Sequence, residues 1–336
     1  MNRQTLREHL LRLDGAHENL LTVDRFGKKD AQTLPFFQRQ VEQIMERTYE
    51  RQFPELMGAN GDVLPISSDI DPGADTYTWY MYEPTGLAKF IAAYGDQTLP
   101  EVSIKGAEQT NKVRDAGSQY HWTTKDIRRA AFAGLNLETR LVDAARRSHD
   151  QLLHTTMLWG RMDLGLNGFI NHPNTTKSVA ADNGSGSTYW VDKTVEQIVA
   201  DVAVVIDGTV ELTNGVEKPN KCLIALKEYN LIKRRRMGAG DGNLTILQHL
   251  EAIWQDVTFA PMIDLQAANS LGNLTSSSLI AFNTDPEKAD YVLPMGFTQL
   301  APQADGLRIK VPCESVHGGC RIPVPLSIAR LDEIGA

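Results

Sequence analysis

A polar stretch of nearly sixty residues, 62–120, most constrains how this chain can fold. Residues 76–82 are β-branched and aromatic, which predicts a strand. Val102, Ile104 and Val113 mark a second extended region beyond a predicted turn at 95–100. A two-stranded ribbon on its own is only marginally stable in water. We therefore expect this excursion to be supported from outside its own fold, by a neighbouring subunit.

A long amphipathic helix is predicted soon after this stretch, from residue 137 to residue 159. Its apolar residues recur with helical spacing, and the opposite face carries Arg140, Arg146, Arg147 and Asp150. At 1.5 Å per residue the helix is roughly 30 Å long, and Gly160 is a typical stop. A shorter helix precedes it, with Thr123 or Thr124 as the N-cap.

Helices and strands alternate in the middle of the chain. After a predicted loop at 171–193, apolar spacing predicts a helix that starts near Val195 and closes at 213–215. Short apolar runs predict strands at 222–226, 257–260 and 278–282. A further periodic run predicts a helix at 244–253. The alternation indicates a compact α/β subdomain at about 194–283.

The C-terminal region predicts a β-hairpin with one apolar face. Apolar and polar residues alternate at 307–311 and again at 320–328. Pro323 and Pro325 lie on the outward face of the second strand and lack N–H donors, which suits an edge strand. The segment 314–319 would then close the hairpin.

Charge and cysteine content exclude several classes of protein. The net charge is −8 and the pI is near 5.5, whereas dedicated nucleic-acid-binding domains are usually basic. Three cysteines are too few for a disulfide framework and favour folding in a reducing cytoplasm. The N-terminus does not resemble a secretory signal, and no apolar run approaches the ~18 residues of a membrane span.

A few groups of residues partly resemble metal or phosphate sites. Cys313, His317 and Cys320 offer three ligands where structural zinc needs four, so the alternative is two inward-facing thiols. Three aspartates within 69–75 lack the ligand order of a calcium loop and suit an Asx turn. The glycine-rich segment 238–243 lacks the ending of a phosphate-binding loop. We therefore expect no metal, no cofactor and no enzymatic activity.

One basic run, Lys-Arg-Arg-Arg at 233–236, leaves two interpretations open. It is either the solvated end of a helix or loop, or a contact to DNA or to an acidic surface of a neighbour.

Several short motifs carry a family resemblance through their order and spacing. They are Leu34-Pro35-Phe36-Phe37-x-Arg39-Gln40-Val41-Glu42, Pro54-Glu55-Leu56, Asp71-Pro72-Gly73-Ala74, Trp159-Gly160, Gly165-Leu166-x-Gly168-Phe169-Ile170-Asn171-x-Pro173, Val311-Pro312-Cys313 and Gly318-Gly319. Together they resemble the major capsid proteins of tailed bacteriophages, over about residues 34 to 334. No single motif is diagnostic.

The resemblance implies an α+β chain with the Hong Kong 97-type capsid fold, in which the helix at 137–159 would be the spine helix. Its parts would be an N-terminal arm at 1–61, an extended two-stranded loop at 62–120, a peripheral domain at 121–193 and 284–336, and an axial domain at 194–283.

The resemblance also implies a function without enzymatic activity. The chain would assemble with itself into pentamers and hexamers of an icosahedral shell around double-stranded DNA, without sequence-specific binding and without a membrane. It would reside in the virion after assembly in the host cytoplasm. Scaffolding, portal and decoration proteins are further candidate partners. Only about thirty residues precede Leu34, so we expect a separate scaffolding protein or none.

Aromatic and arginine side chains are the usual anchors of interfaces. The predicted assembly residues are therefore Phe36, Phe37 and Arg39 in the arm, and Trp79, Tyr80 and Tyr82 in the extended loop. For Trp79 and Tyr80 the alternative is packing onto their own subunit.

The sequence leaves two other functions open. An encapsulin-type protein compartment shares the capsid fold and would enclose cargo rather than DNA. A cytosolic α/β enzyme would need a convergent catalytic group, which the sequence does not display.

Overall fold

The computed structural model describes residues 54–90, 100–133, 137–238, 244–267 and 274–336. Its described helices are α1 (Thr124–Ala133), α2 (Leu137–Trp159), α3 (Val195–Leu212), α4 (Leu226–Arg234) and α5 (Ile246–Ile253). Its described strands are β1 (Ile66–Ser67), β2 (Thr76–Thr85), β3 (Ser103–Lys112), β4 (Arg114–Thr123), β5 (Thr176–Val179), β6 (Lys221–Ala225), β7 (Thr258–Met262), β8 (Ser277–Phe282), β9 (Asp290–Val292), β10 (Met295–Gln299), β11 (Gln303–Asp305), β12 (Arg308–His317), β13 (Gly319–Arg321) and β14 (Ile328–Gly335). None of the described helices combines the length and apolar character needed to cross a membrane.

Helix α2 has the bounds that its apolar spacing predicted. Met157 and Leu158 near its end are fully buried. The helix stops because Gly160 adopts a left-handed conformation, with φ 66°. The chain then folds back so closely that a Cβ on Gly160 would lie 2.4 Å from the backbone nitrogen of Gly168. Glycine is therefore required at this turn for both its conformation and its size.

Helix α1 begins at a reciprocal capping box. The Thr123 hydroxyl oxygen accepts a hydrogen bond from the Asp126 backbone N–H at 3.2 Å. The Asp126 carboxylate accepts from the Thr123 backbone N–H at 3.2 Å and from its hydroxyl at 2.6 Å. Of the two predicted caps, Thr123 is therefore the one used.

The largest described sheet has five strands, in the order β5-β14-β8-β6-β7. Strand β6 is parallel to β7 and antiparallel to β8, while β14 is antiparallel to β8 and parallel to β5. The predicted strands and helices within 194–283 are confirmed. The sheet also takes β5 from the predicted loop at 171–193 and β14 from the C-terminus. We call this sheet with α3, α4 and α5 the α/β subdomain.

Both faces of this sheet are covered by apolar side chains. On one face, Ile224 and Leu279 share a cluster with residues of α3, α4 and α5. On the other, Leu223 and Ile280 share a cluster with Leu158 of α2. Every residue of β8 is buried as a result. This explains why its last four residues, 279–282, form a continuous apolar run rather than an alternating pattern.

Helix α4 was not predicted from the sequence. Its buried residues are Glu228 and Ile232, one helical turn apart. Because one of the two is charged, the apolar periodicity that normally reveals an amphipathic helix is interrupted.

Strand β12 is the centre of a four-stranded sheet. Strand β4 pairs with it along its full length, from Arg308 opposite Thr123 to His317 opposite Arg114. Strands β10 and β11 pair with its other edge.

The predicted C-terminal hairpin is wrong. Strand β12 extends to His317, and β4 on one edge and β10 and β11 on the other occupy both of its edges. The second alternation is divided between two sheets: β13 pairs with β9, and β14 joins the α/β subdomain. The division falls at Pro323 and Pro325, where a 3-10 turn at Pro325–Ser327 replaces a continuous strand.

Strands β2 and β3 form a separate two-stranded sheet, which we call the ribbon. They pair antiparallel from Thr76 opposite Lys112 to Thr85 opposite Ser103, which confirms the predicted two-stranded excursion. The rest of the expected excursion differs from the prediction, because residues 114–123 form β4 in the neighbouring sheet.

Candidate assembly surface

The base of the ribbon is fixed to its own subunit by buried hydrogen bonds. The Tyr77 hydroxyl donates to the Gly318 carbonyl at 3.1 Å. The Asn111 amide donates to the Tyr77 oxygen at 3.1 Å and to the Cys320 carbonyl at 3.2 Å. Burial raises the pKa of Tyr77, so its hydroxyl remains a donor over the whole physiological range.

A second contact holds the strand that follows the ribbon. The Arg114 Nε donates to the Leu164 carbonyl at 3.2 Å. The Lys112 side chain lies against Gly165, where an added Cβ would be 3.0 Å from its Cδ. The ribbon is therefore tethered at one end, on the turn that follows α2.

Trp79 packs on its own subunit. Its ring stacks on Tyr77 with centroids 5.7 Å apart and planes at 26°. It is half-buried against a cluster that contains Tyr77, Val113, Val292 and Val316. For Trp79, the structure therefore agrees with the alternative interpretation of the sequence, which was packing onto its own subunit.

Tyr80 and Tyr82 lie on the opposite face of the ribbon from Trp79. Their side chains are 61% and 70% exposed, and their rings stack with centroids 6.4 Å apart. The Tyr82 ring covers Gly106 on the paired strand, so that an added Cβ there would lie 3.4 Å from the ring. The two tyrosines thus form an ordered aromatic surface that the described part of the subunit does not bury.

Four further apolar side chains in and beside the ribbon are exposed, and the sequence did not predict them as assembly residues. They are Leu87, Phe90, Val102 and Ile104. Ile104 lies opposite Pro84 in the strand register, on the same face as Tyr80 and Tyr82. We call Tyr80, Tyr82, Pro84 and Ile104 the ribbon face. The period of two from Tyr80 to Pro84 is the signal that could have identified this face from the sequence.

The other predicted assembly residues, Phe36, Phe37 and Arg39, lie outside the described residues.

The partial metal patterns have structural explanations, whereas the glycine-rich segment lies outside the described residues except for Gly238. His317 uses both ring nitrogens for hydrogen bonds, to Ser315 and Tyr291. The Cys320 thiol donates to the Met157 carbonyl at 3.2 Å. The Asp71 carboxylate accepts from the Gly73 backbone N–H at 2.8 Å, which confirms the predicted Asx turn. Over the described ranges, no group of three or more His, Cys, Asp or Glu side chains could hold a metal ion.

The basic run occupies the end of α4. Lys233 and Arg234 lie in its last turn, and Lys233, Arg234 and Arg236 are exposed. Arg235 donates to the Trp190 carbonyl at 3.4 Å. The run is therefore largely a solvated helix end within the subunit.

Comparison with known proteins agrees with the fold. A family model described as major capsid protein matches residues 86–334, well over half of the chain. No curated protein matches by sequence.

Solved shell structures share the fold. The capsid of Myoviridae phage XM1 aligns with a TM-score of 0.74 at 16% identity, over 88% of this chain and 98% of that one. The capsid of a native GTA particle aligns with a TM-score of 0.60 at 10% identity, over 89% and 96%. A virus-like particle from Pyrococcus furiosus aligns with a TM-score of 0.50 at 13% identity, over 82% and 95%.

These structural alignments establish the α+β, Hong Kong 97-type fold, while the family match separates this chain from other proteins that share the fold. The chain belongs to the major capsid protein family, as a shell subunit of a tailed bacteriophage.

Proposed function

We propose that copies of this chain assemble as hexamers and pentamers of a shell around double-stranded DNA, and that the ribbon face binds an adjacent copy. The observation that carries the proposal is a ribbon tethered at its base whose stacked tyrosines remain exposed. Exposed aromatic rings held in a fixed arrangement lose little conformational entropy when a partner covers them. A neighbouring copy is the support that a lone two-stranded ribbon requires.

The acidic balance of the chain supports a container rather than a DNA-binding protein. With a net charge of −8, the subunit lacks the excess of basic side chains that would hold phosphate groups strongly. A weakly interacting wall suits DNA that must enter and leave, and it requires no recognition of sequence.

We also propose a division of the chain into the parts of the capsid fold, with boundaries that follow the observed sheets. The ribbon would be the extended loop and α2 the spine helix. The α/β subdomain would be the axial domain, now including β5 and β14, and β4 with β10 to β12 would belong to the peripheral domain.

The remaining partners are also proposals. Residues of the N-terminal arm, Phe36, Phe37 and Arg39, would contribute to contacts between copies. Scaffolding, portal and decoration proteins would join during assembly in the host cytoplasm. The family is structural, and we assign the chain no catalytic role.

Alanine substitution of the two exposed tyrosines tests the proposal. Tyr80→Ala with Tyr82→Ala removes the aromatic part of the ribbon face and leaves the anchor at Tyr77 intact. The matched control is Glu83→Ala with Thr85→Ala, two exposed residues of the same strand on its other face. Negative-stain electron microscopy and sedimentation velocity compare both double variants with the unsubstituted protein.

We expect closed shells, or hexamers and pentamers, for the unsubstituted protein and for the control. The tyrosine variant should remain a folded subunit that does not assemble. Normal shells from the tyrosine variant would refute the role of the ribbon face.

A further inference from the structure

Five hydrogen-bonding side chains form a continuous chain where α2 meets the four-stranded sheet. In order they are Ser118, His149, Ser315, His317 and Tyr291, and we call them the histidine chain. Ser118 Oγ lies 2.9 Å from His149 Nε2, and His149 Nδ1 lies 2.7 Å from Ser315 Oγ. Ser315 Oγ lies 2.9 Å from His317 Nε2, and His317 Nδ1 lies 3.0 Å from the Tyr291 hydroxyl. The histidine chain thus links β4, α2, β12 and β9.

The direction of these hydrogen bonds follows from counting protons. A neutral imidazole has one N–H and one lone pair, so each histidine donates on one side and accepts on the other. The Ser315 hydroxyl can accept from both imidazoles, but its own proton finds an acceptor within the histidine chain only when it donates to one imidazole and accepts from the other. In that fully paired arrangement all four hydrogen bonds point the same way, from Ser118 to Tyr291 or the reverse.

The first and the second proton added to the two imidazoles have different effects on the hydrogen bonds of the histidine chain. One extra proton makes one imidazole a donor at both nitrogens, and the other members can reorient so that all four hydrogen bonds remain. With a second proton, both imidazoles would donate to Ser315. The Ser315 hydroxyl proton would then have no acceptor in the histidine chain, and two positive charges would flank one buried oxygen.

The surroundings favour neutral imidazoles. Titratable and charged groups from the neighbouring elements are Asp150 in α2, Arg114 in β4, Cys313 in β12, Cys320 in β13 and Tyr77 in β2. Burial raises the pKa of both thiols and of Tyr77, so these groups stay uncharged. Arg114 lies opposite His317 in the strand register and opposes a second positive charge there.

Asp150 is the one group of this set that favours a charged imidazole, and it acts on His149. Burial outweighs it and lowers the pKa of His149. Burial, together with the neighbouring His149, lowers the pKa of His317 to about 4.

We infer that the histidine chain is an acid-sensitive clasp between α2 and the four-stranded sheet, closed while both imidazoles are neutral and opened by the uptake of two protons. His317 directly precedes Gly318, whose carbonyl accepts the hydrogen bond that anchors Tyr77 of the ribbon. Opening the clasp therefore weakens the base of the ribbon. The clasp acts within one subunit, so it does not depend on the proposed shell.

The direction of the pH effect follows from proton linkage. An unfolded histidine has a pKa of about 6.5, so the folded clasp binds fewer protons than the unfolded chain below that pH. Stability then decreases as the pH falls from about 6.5 towards about 4, by up to about tenfold in the opening equilibrium per pH unit and per histidine. His172, also buried with a lowered pKa, contributes a background that is shared by the unsubstituted protein and every variant, so only differences between them report on the clasp.

Amide hydrogen exchange tests the clasp, with rates corrected for the intrinsic effect of pH. The protein is compared at about pH 7 and about pH 4.5 with His317→Gln, whose amide can donate and accept but does not titrate. His149→Gln is a second variant, in case the first does not fold at neutral pH. His121→Gln, an exposed histidine of β4, is the matched control.

In the unsubstituted protein and in the control, we expect β4 and β12 to lose at least about tenfold protection at the lower pH. Either clasp variant should lose at least about threefold less protection than the unsubstituted protein, because one of the two titrating imidazoles is gone. Full protection of the unsubstituted protein at the lower pH would overturn the inference. So would an equal loss of protection in the clasp variants and the control.

Discussion

The ribbon and the α/β subdomain use similar residues for opposite purposes. In the subdomain, apolar side chains lie on both faces of the sheet, and β8 is buried along its length. In the ribbon, full burial is confined to the base at Tyr77 and Asn111, Trp79 is half-buried, and Tyr80 and Tyr82 remain exposed. The sequence of the α/β subdomain thus specifies a buried core, whereas the sequence of the ribbon leaves an exposed aromatic face, which we propose binds an adjacent copy.

The largest effect on stability is expected in the subdomain. Phe282 in β8 is fully buried and packs edge-on against Phe169, with centroids 4.9 Å apart. Phe282→Ala should lower the free energy of unfolding by about 3–5 kcal/mol, because a cavity replaces the ring. Urea denaturation measures the loss. The control is Val204→Ala on the exposed side of α3, expected to change stability by less than about 0.5 kcal/mol. Equal effects of the two substitutions would refute the assigned packing.

A smaller effect is expected at the base of the ribbon. Tyr77→Phe removes the donor to the Gly318 carbonyl and the acceptor of the Asn111 amide. The loss should be about 1–3 kcal/mol, because buried polar groups are left unpaired. The variant should also be cleaved faster by protease within the ribbon. Tyr82→Phe, which alters only an exposed hydroxyl, is the control and should match the unsubstituted protein in both measurements.

A buried carboxyl provides a pH-dependent test of the subdomain. Burial raises the pKa of Glu228 above its ordinary value of 4.5, so the folded protein binds this proton more tightly than the unfolded chain. Its contribution to stability is fully present below that ordinary value and is lost as the pH rises through the raised one. Glu228→Gln should therefore raise the Tm at pH 7 and leave it unchanged at about pH 4. A lower Tm at pH 7 would show that the charge itself stabilises the fold.

The smallest effect on stability is expected at the ribbon face. Tyr80→Ala with Tyr82→Ala should change the free energy of unfolding of the isolated subunit by less than about 0.5 kcal/mol, since both rings are exposed. Urea denaturation of the unassembled protein measures this change. A loss of several kcal/mol would show that the tyrosines stabilise their own subunit instead of a contact between subunits.

The sequence predicted individual helices and strands better than it predicted which strands pair with one another. The bounds of α2, the strands β6, β7 and β8, and the ribbon follow from apolar spacing and β propensity, which are local properties. The C-terminal hairpin failed because the partners of β12 and β14 come from distant parts of the chain, which alternation alone does not specify. Helix α4 was missed because a buried glutamate occupies its inner face.

The candidate site was predictable in type but not in detail. Aromatic residues in a polar strand indicated a contact surface, yet only the register separates Trp79, on its own core, from Tyr80 and Tyr82. The histidine chain joins residues up to 173 positions apart, from Ser118 to Tyr291, so no local motif reveals it.

Cryo-electron microscopy of shells assembled from the purified chain tests the central claim most directly. We expect the rings of Tyr80 and Tyr82 to contact an adjacent copy throughout the shell, while Trp79 stays packed against its own subunit. Shells in which both tyrosine rings remain exposed to solvent in every copy would refute the proposed contact.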